Sequence, residues 1–139
     1  MRSRVPFFAL AVSTVGLVGA LVMPRAGVAA APAAPTGNSA TGAKLFLQCR
    51  ACHTVNPGGT NGVGPNLAGV IGTKAASKPG YTYSPALKNA ALRWDATTMD
   101  AWLTRPAKVA PGNKMAFAGI ANPQSRADII AYLSTLKAK

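Results

Sequence analysis

Apolar and polar positions along the chain fall into three kinds of pattern. Residues 5–23 are uncharged and mostly apolar, with Arg2 and Arg4 ahead of them and Pro24, Arg25 and a run of small residues behind. That layout is an export signal spanning residues 1–30; an uncleaved N-terminal anchor is the alternative, because the run is nearly long enough to span a bilayer. Residues 31–38, with Pro32 and Pro35, read as a flexible tail. The second pattern is helical. From Ser39 to about Arg50, Gly42 and Phe46 share a face with Leu45 beside them. Ser84-Pro85 opens a short helix to about Ala91, with Ser as N-cap and Pro at the first helical position. Asp95 caps another, in which Met99, Trp102 and Leu103 recur at i, i+3 and i+4 before Pro106 stops it. Asn122-Pro123 starts the last, with Ile129, Leu133 and Leu136 on one face and Tyr132 alongside. The third pattern has no period. Residues 54–83 and 106–121 are punctuated by Gly and Pro and predict irregular chain.

These elements predict an all-α domain over residues 39–139, with about four short helices joined by long loops. A structureless loop of this length argues for something functional that it wraps. Composition points the same way. The chain has 139 residues, and a single small domain seldom builds a sufficient core without a staple.

Charge narrows the partners. There are 15 Lys and Arg against three acids, Asp95, Asp100 and Asp128, for a net charge of +12. Loss of Arg2, Arg4 and Arg25 with the export signal would leave +9. Such a surface seeks acidic partners. The cations of the domain come singly, without the basic stripe and stacking aromatics of a nucleic-acid reader, so the reading expects no nucleic acid.

The chemistry lies in Cys49-Arg50-Ala51-Cys52-His53. This C-x-x-C-H run is the attachment signature of a c-type haem. Two thiols on one turn of backbone can form thioethers with the two vinyl groups of a porphyrin, and the next residue can offer an imidazole to the iron. A thioredoxin-like couple would need a βαβ setting that the sequence does not supply. A structural zinc site needs about four ligands, and the chain has no further Cys or His. A simple disulfide at this spacing is usually strained and redox-active.

Iron that carries electrons favours six ligands, and with one His the second must be of another type. A methionine thioether fits and favours the reduced iron. Met99 sits at core spacing with Trp102 and Leu103 and reads as packing. Met115 sits in the polar turn Pro111-Gly112-Asn113-Lys114-Met115, where a thioether needs a reason. Met115 is the expected ligand.

From about Gly42 onward the chain resembles class I cytochrome c, near the mitochondrial proteins and their small bacterial relatives. Cys49 to Val55 is similar to the family's attachment run, Gly64-Pro65-Asn66-Leu67 to its Gly-Pro-Asn-Leu turn, and Pro79-Gly80-Tyr81-Thr82-Tyr83 to its Pro-Gly-Tyr-x-Tyr. Trp94, the loop from Pro111 to Met115, and the run from Arg126 to Leu133 extend the match. The resemblance implies the cytochrome c fold wrapped around one covalent haem c. It implies that Pro65 accepts the far-nitrogen hydrogen bond of His53, and that Tyr83 and Trp94 donate to the haem propionates. Asn113 falls where the family has a Thr bonding a propionate or the ligand-side network. Gly42 and Phe46 would meet Ile129 and Tyr132 where the first and last helices cross.

Departures accompany the match. Thr73 stands where many members have a propionate-binding Arg, Leu87 where many have an Asn, and Trp102 where a Tyr touches the Met sulfur. Lys108 and Lys114 match the family's ring of lysines, but Gln48, Ala107, Ala121 and Asn122 are not basic where the family often is. The implied function is a monomeric, periplasmic, non-enzymatic carrier of single electrons. Its implied partners are membrane-bound redox complexes with acidic docking surfaces: a cytochrome c reductase, and a terminal oxidase or a photosynthetic reaction centre. A haem peroxidase or small-ligand sensor is the alternative if Met115 dissociates. A tethered carrier serving one complex is another.

Overall fold

The structure is a computed structural model and describes residues 35–138; the expected export signal lies outside them. Five α-helices appear among these residues: α1 Ser39–Leu45, α2 Pro85–Asn89, α3 Ala96–Thr104, α4 Pro106–Val109 and α5 Pro123–Thr135. No strand occurs among them beyond one antiparallel bridge between Lys74 and Arg93. None of the described helices is long and apolar enough to cross a membrane.

The helix starts follow from local capping. Side-chain oxygens of Asn38, Ser84, Asp95 and Asn122 accept from the backbone N–H three residues on, satisfying donors that a first turn leaves open. Helix ends depart from the sequence reading in three places. The first helix tightens after Leu45 into a 3₁₀ segment, Phe46–Ala51. Helix α2 stops at Asn89 because Ala91 takes the left-handed conformation at φ 50°. Residues 106–121, expected to be irregular, begin with the single turn α4. Pro106 pre-sets its φ and is buried, and four residues are too few to show a period.

Helix α1 crosses α5 at Gly42. A Cβ there would lie 1.9 Å from the Asp128 carbonyl oxygen and 2.9 Å from the Tyr132 Cβ. One turn on, the Phe46 ring packs at 5.2 Å from that of Tyr132. Phe46 and Ile129 are both 1% exposed, and burial of each is worth about 2–3 kcal/mol. Thr36–Asn38, expected to end a flexible tail, lie against α5. Asn38 N–H donates to Asp128 at 2.7 Å, and Gln124 donates to the Thr36 carbonyl at 2.9 Å.

Helix α3 packs beside α5 and adds Met99, Trp102 and Leu103 to the core. Arg126 ties the two together. It pairs with Asp100 at 2.7 Å and donates to the carbonyls of Ile120 and Ala121, both at 2.9 Å, with its side chain only 12% exposed. This fixes the last irregular segment against both helices. The remaining long loop, residues 53–83, supplies much of the lining of a cavity.

Candidate haem site

Between the helices and that loop lies a cavity of about 320 Å³. Protein interiors hold few voids much larger than a water, so a space of this size in so small a domain is shaped for an occupant. Cys49, Cys52, His53, Pro65, Tyr83, Trp94, Asn113 and Met115 all line it, as do Met99, Trp102, Leu87 and Thr73.

The 3₁₀ segment determines where the thiols go. Both Cys52 N–H and His53 N–H bond back to the Cys49 carbonyl, at 3.1 and 3.0 Å. The tightened turn brings both cysteines to the cavity while the chain swings His53 under it. Both thiols are free, Cys49 half-buried and Cys52 exposed. Burial pushes the Cys49 thiol up, and its neighbour Cys52 adds to the effect. Net addition of each S–H across a vinyl double bond would give the two thioethers.

His53 is held by the loop that follows it. Its Nδ1 lies 2.8 Å from the Pro65 carbonyl oxygen. A carbonyl only accepts, so Nδ1 carries the proton and Nε2 keeps its lone pair. Burial lowers the pKa of the imidazole, opposed by the Pro65 bond; the ring stays neutral. Gly64 packs flat on it, since a Cβ there would come within 2.4–2.9 Å of three ring atoms. Gly64 N–H also donates to the Cys52 carbonyl at 2.8 Å, and Leu67 N–H to that of Thr54 at 2.8 Å.

Asn66, which the sequence marked only as part of a motif, is the centre of this wall. Its buried amide donates to Thr54 Oγ1 at 2.8 Å and to the Asn56 carbonyl at 3.0 Å. It accepts from Ala68 N–H at 2.9 Å. Its own N–H donates to Asn61 at 2.9 Å. Beyond that motif, the sequence signal was an Asn inside a Gly/Pro-rich loop, a residue suited to bonding nearby backbone.

Met115 reaches the same lining from the loop after α4. Asn113 shapes its loop, donating to the Ala110 carbonyl and accepting from Met115 N–H, each at 2.9 Å. The Asn113 amide is thus engaged with its own loop's backbone. Tyr83 and Trp94 are both buried. Burial raises the Tyr83 pKa, while a hydrogen bond from the Lys78 backbone N–H pulls it down. Trp94 packs edge-on to Trp102 at 5.3 Å. At the mouth, Tyr81 donates to the Val63 carbonyl at 2.9 Å, and the Lys114 ammonium lies 5.4 Å over its ring.

A mostly apolar slot with two free thiols, a neutral imidazole and a thioether fits a haem. Fold and site together define a helical haem-binding domain of the C-x-x-C-H type. The chain belongs to the cytochrome c family: that family's sequence model matches residues 39–137. It is 46% identical to cytochrome c2 of Rhodomicrobium vannielii over 121 residues, 87% of this chain and 93% of that one. It is 45% identical to cytochrome c of Nigella damascena over 72% of this chain and 91% of that one. Among solved structures, cytochrome cH from Methylobacterium extorquens superposes with a TM-score of 0.68 at 48% identity, covering 71% of this chain and 99% of that one. With the family come one covalently bound haem c and the role of a monohaem electron carrier.

Proposed function

We propose that this chain is an exported carrier that passes single electrons between membrane-bound redox complexes, from a cytochrome c reductase to a terminal oxidase or a photosynthetic reaction centre. Cys49 and Cys52 would hold the haem by thioethers, and His53 and Met115 would ligate its iron. Pro65 would orient the imidazole, while Tyr83, Trp94 and Asn113 would line the cofactor's polar side. When bound, the haem supplies the Fe(II)/Fe(III) couple. The observation that carries the reading is the convergence of the chain's single His, both thiols and Met115 on one apolar cavity.

The cavity lining supports a carrier over a peroxidase. No Asp, Glu or second His lines it among the described residues, so no side chain is placed to move a proton during oxygen–oxygen cleavage. The Asn113 bonds hold the Met115 loop closed. Similarity to proteins named cytochrome c2 supports a soluble periplasmic carrier. The exposed Cys52, beside the exposed Val63 on the cavity lining, marks the edge at which a partner would dock. With no acid in that lining and a net charge of +12, encounters with acidic partners should weaken steeply with salt.

The test is the absorption spectrum of the purified protein. A six-coordinate low-spin haem with a weak far-red sulfur-to-iron band is expected, and Met115→Ala should abolish that band and admit carbon monoxide. A wild-type protein that is high-spin and binds carbon monoxide readily would overturn the carrier reading. Intact mass on native protein reads whether residues 1–30 are removed.

A further inference from the structure

One wall of the cavity carries a cation that no side chain of the protein balances. Lys78 lines the cavity half-buried, and its ammonium donates to the Ala68 carbonyl. An ammonium has three donor hydrogens and one carbonyl satisfies one of them. Withdrawing a cation from water costs free energy unless an anion faces it. The acidic side chains of the chain are engaged elsewhere. Asp95 caps α3 through Thr98 N–H, Asp100 pairs with Arg126, and Asp128 accepts from Asn38 N–H and Gln124. None of them lines the cavity.

Two neighbours sharpen the point. Thr73 has its hydroxyl bonded to the Val70 carbonyl at 2.7 Å and brings no charge to the lining. Tyr83 brings a buried phenol to the same lining. Lysine and phenol thus both line the cavity, and each can donate to a carboxylate.

We propose that Lys78 is the residue that receives a haem carboxylate in this chain, and that its charge raises the reduction potential. This rests on the haem reading of the cavity. The sign follows from charge: ferrous iron carries one positive charge fewer than ferric, so a nearby cation favours the ferrous form. Removing the cation lowers the potential.

Equilibrium redox titration of the haem-loaded wild type, Lys78→Gln, Lys78→Arg and Lys74→Gln tests this. Lys74 also lines the cavity but is exposed, so it reports the general field of a surface charge. In Lys78→Gln the ferrous-to-ferric ratio at fixed ambient potential should fall roughly three- to tenfold, a partly screened charge effect; tenfold corresponds to about 59 mV for one electron. Lys78→Arg should stay near wild type, and Lys74→Gln should move less than half as far as Lys78→Gln. The carboxylate band in redox-difference infrared spectra should shift in Lys78→Gln alone. A ratio in Lys78→Gln within twofold of wild type overturns the proposal, as does an equal shift in Lys74→Gln with no change in the carboxylate band. A wild-type protein that carries no attached haem overturns the cavity reading itself, a distinct outcome visible before any titration.

Discussion

Where α1 crosses α5, the contact is made by what Gly42 lacks; in the wall formed by residues 53–70, it is made by what Asn66 carries. At the crossing, two backbones approach so closely that a single Cβ would sit 1.9 Å from the Asp128 carbonyl oxygen. At Gly42 itself shape decides, with the Asp128 carboxylate tying the start of α1 to α5 alongside. In the loop wall the apolar contacts are fewer, and a single amide links Thr54, Asn56 and Ala68. Helices satisfy their own backbone and need only fit together, whereas a loop must have its polar groups satisfied from outside itself. The two supports should therefore respond to opposite kinds of substitution.

The largest effect is expected at the crossing. Gly42→Ala must push the helices apart, at a cost of about 3 kcal/mol, read as a fall in the thermal midpoint of the haem-loaded protein. A midpoint near wild type would mean that the helices part without cost, and the comparison would fail. Asn66→Ala should cost about 2 kcal/mol, because the buried Ala68 N–H loses its acceptor and the half-buried Thr54 loses a donor. Asn66→Asp, which keeps the acceptor for Ala68 N–H but loses the donors, should help little. Full recovery with Asp would show that the acceptor alone matters.

Gly64→Ala tests shape inside the loop wall. The new Cβ would press on the His53 ring, so about 1–2 kcal/mol of stability should go. A changed haem absorption spectrum should accompany it as the ring turns off the Pro65 carbonyl, whereas Gly42→Ala should leave the spectrum of its folded fraction unchanged. The smallest effect is a gain. Ala91 occupies a left-handed position at φ 50°, where glycine is strain-free. Ala91→Gly should raise stability by about 0.5 kcal/mol, the relief of strain less the added freedom of the unfolded chain. A lower unfolding midpoint would show that the alanine methyl packs usefully.

Legibility in the sequence tracked distance along the chain. Each of the caps at Ser84, Asp95 and Asn122 bonds three residues ahead, and all three were readable from residue type and spacing. Helix α4 was not, because one turn after a proline shows no period. The family pattern of Thr73, Leu87 and Trp102 was visible as a set of departures, but not what surrounds them. Asn113 illustrates the difference. Resemblance suggested that its amide serves a propionate or the ligand-side network; only the structure gives its partners, the Ala110 carbonyl and the N–H of Met115.

The sequence by itself determined the starts of α2, α3 and α5, the attachment turn and the single imidazole, because each depends on neighbours a few bonds away. It also carried the family resemblance, through short motifs read one at a time. Only the tertiary structure decided that Gly64 lies flat on His53, that Asn66 ties the loop wall, that Arg126 fastens α3 to α5, and that Lys78 meets the Ala68 carbonyl. Those contacts join residues about ten or more positions apart. They exist only once the chain has closed, and loop closure carries an entropy cost that no local propensity encodes.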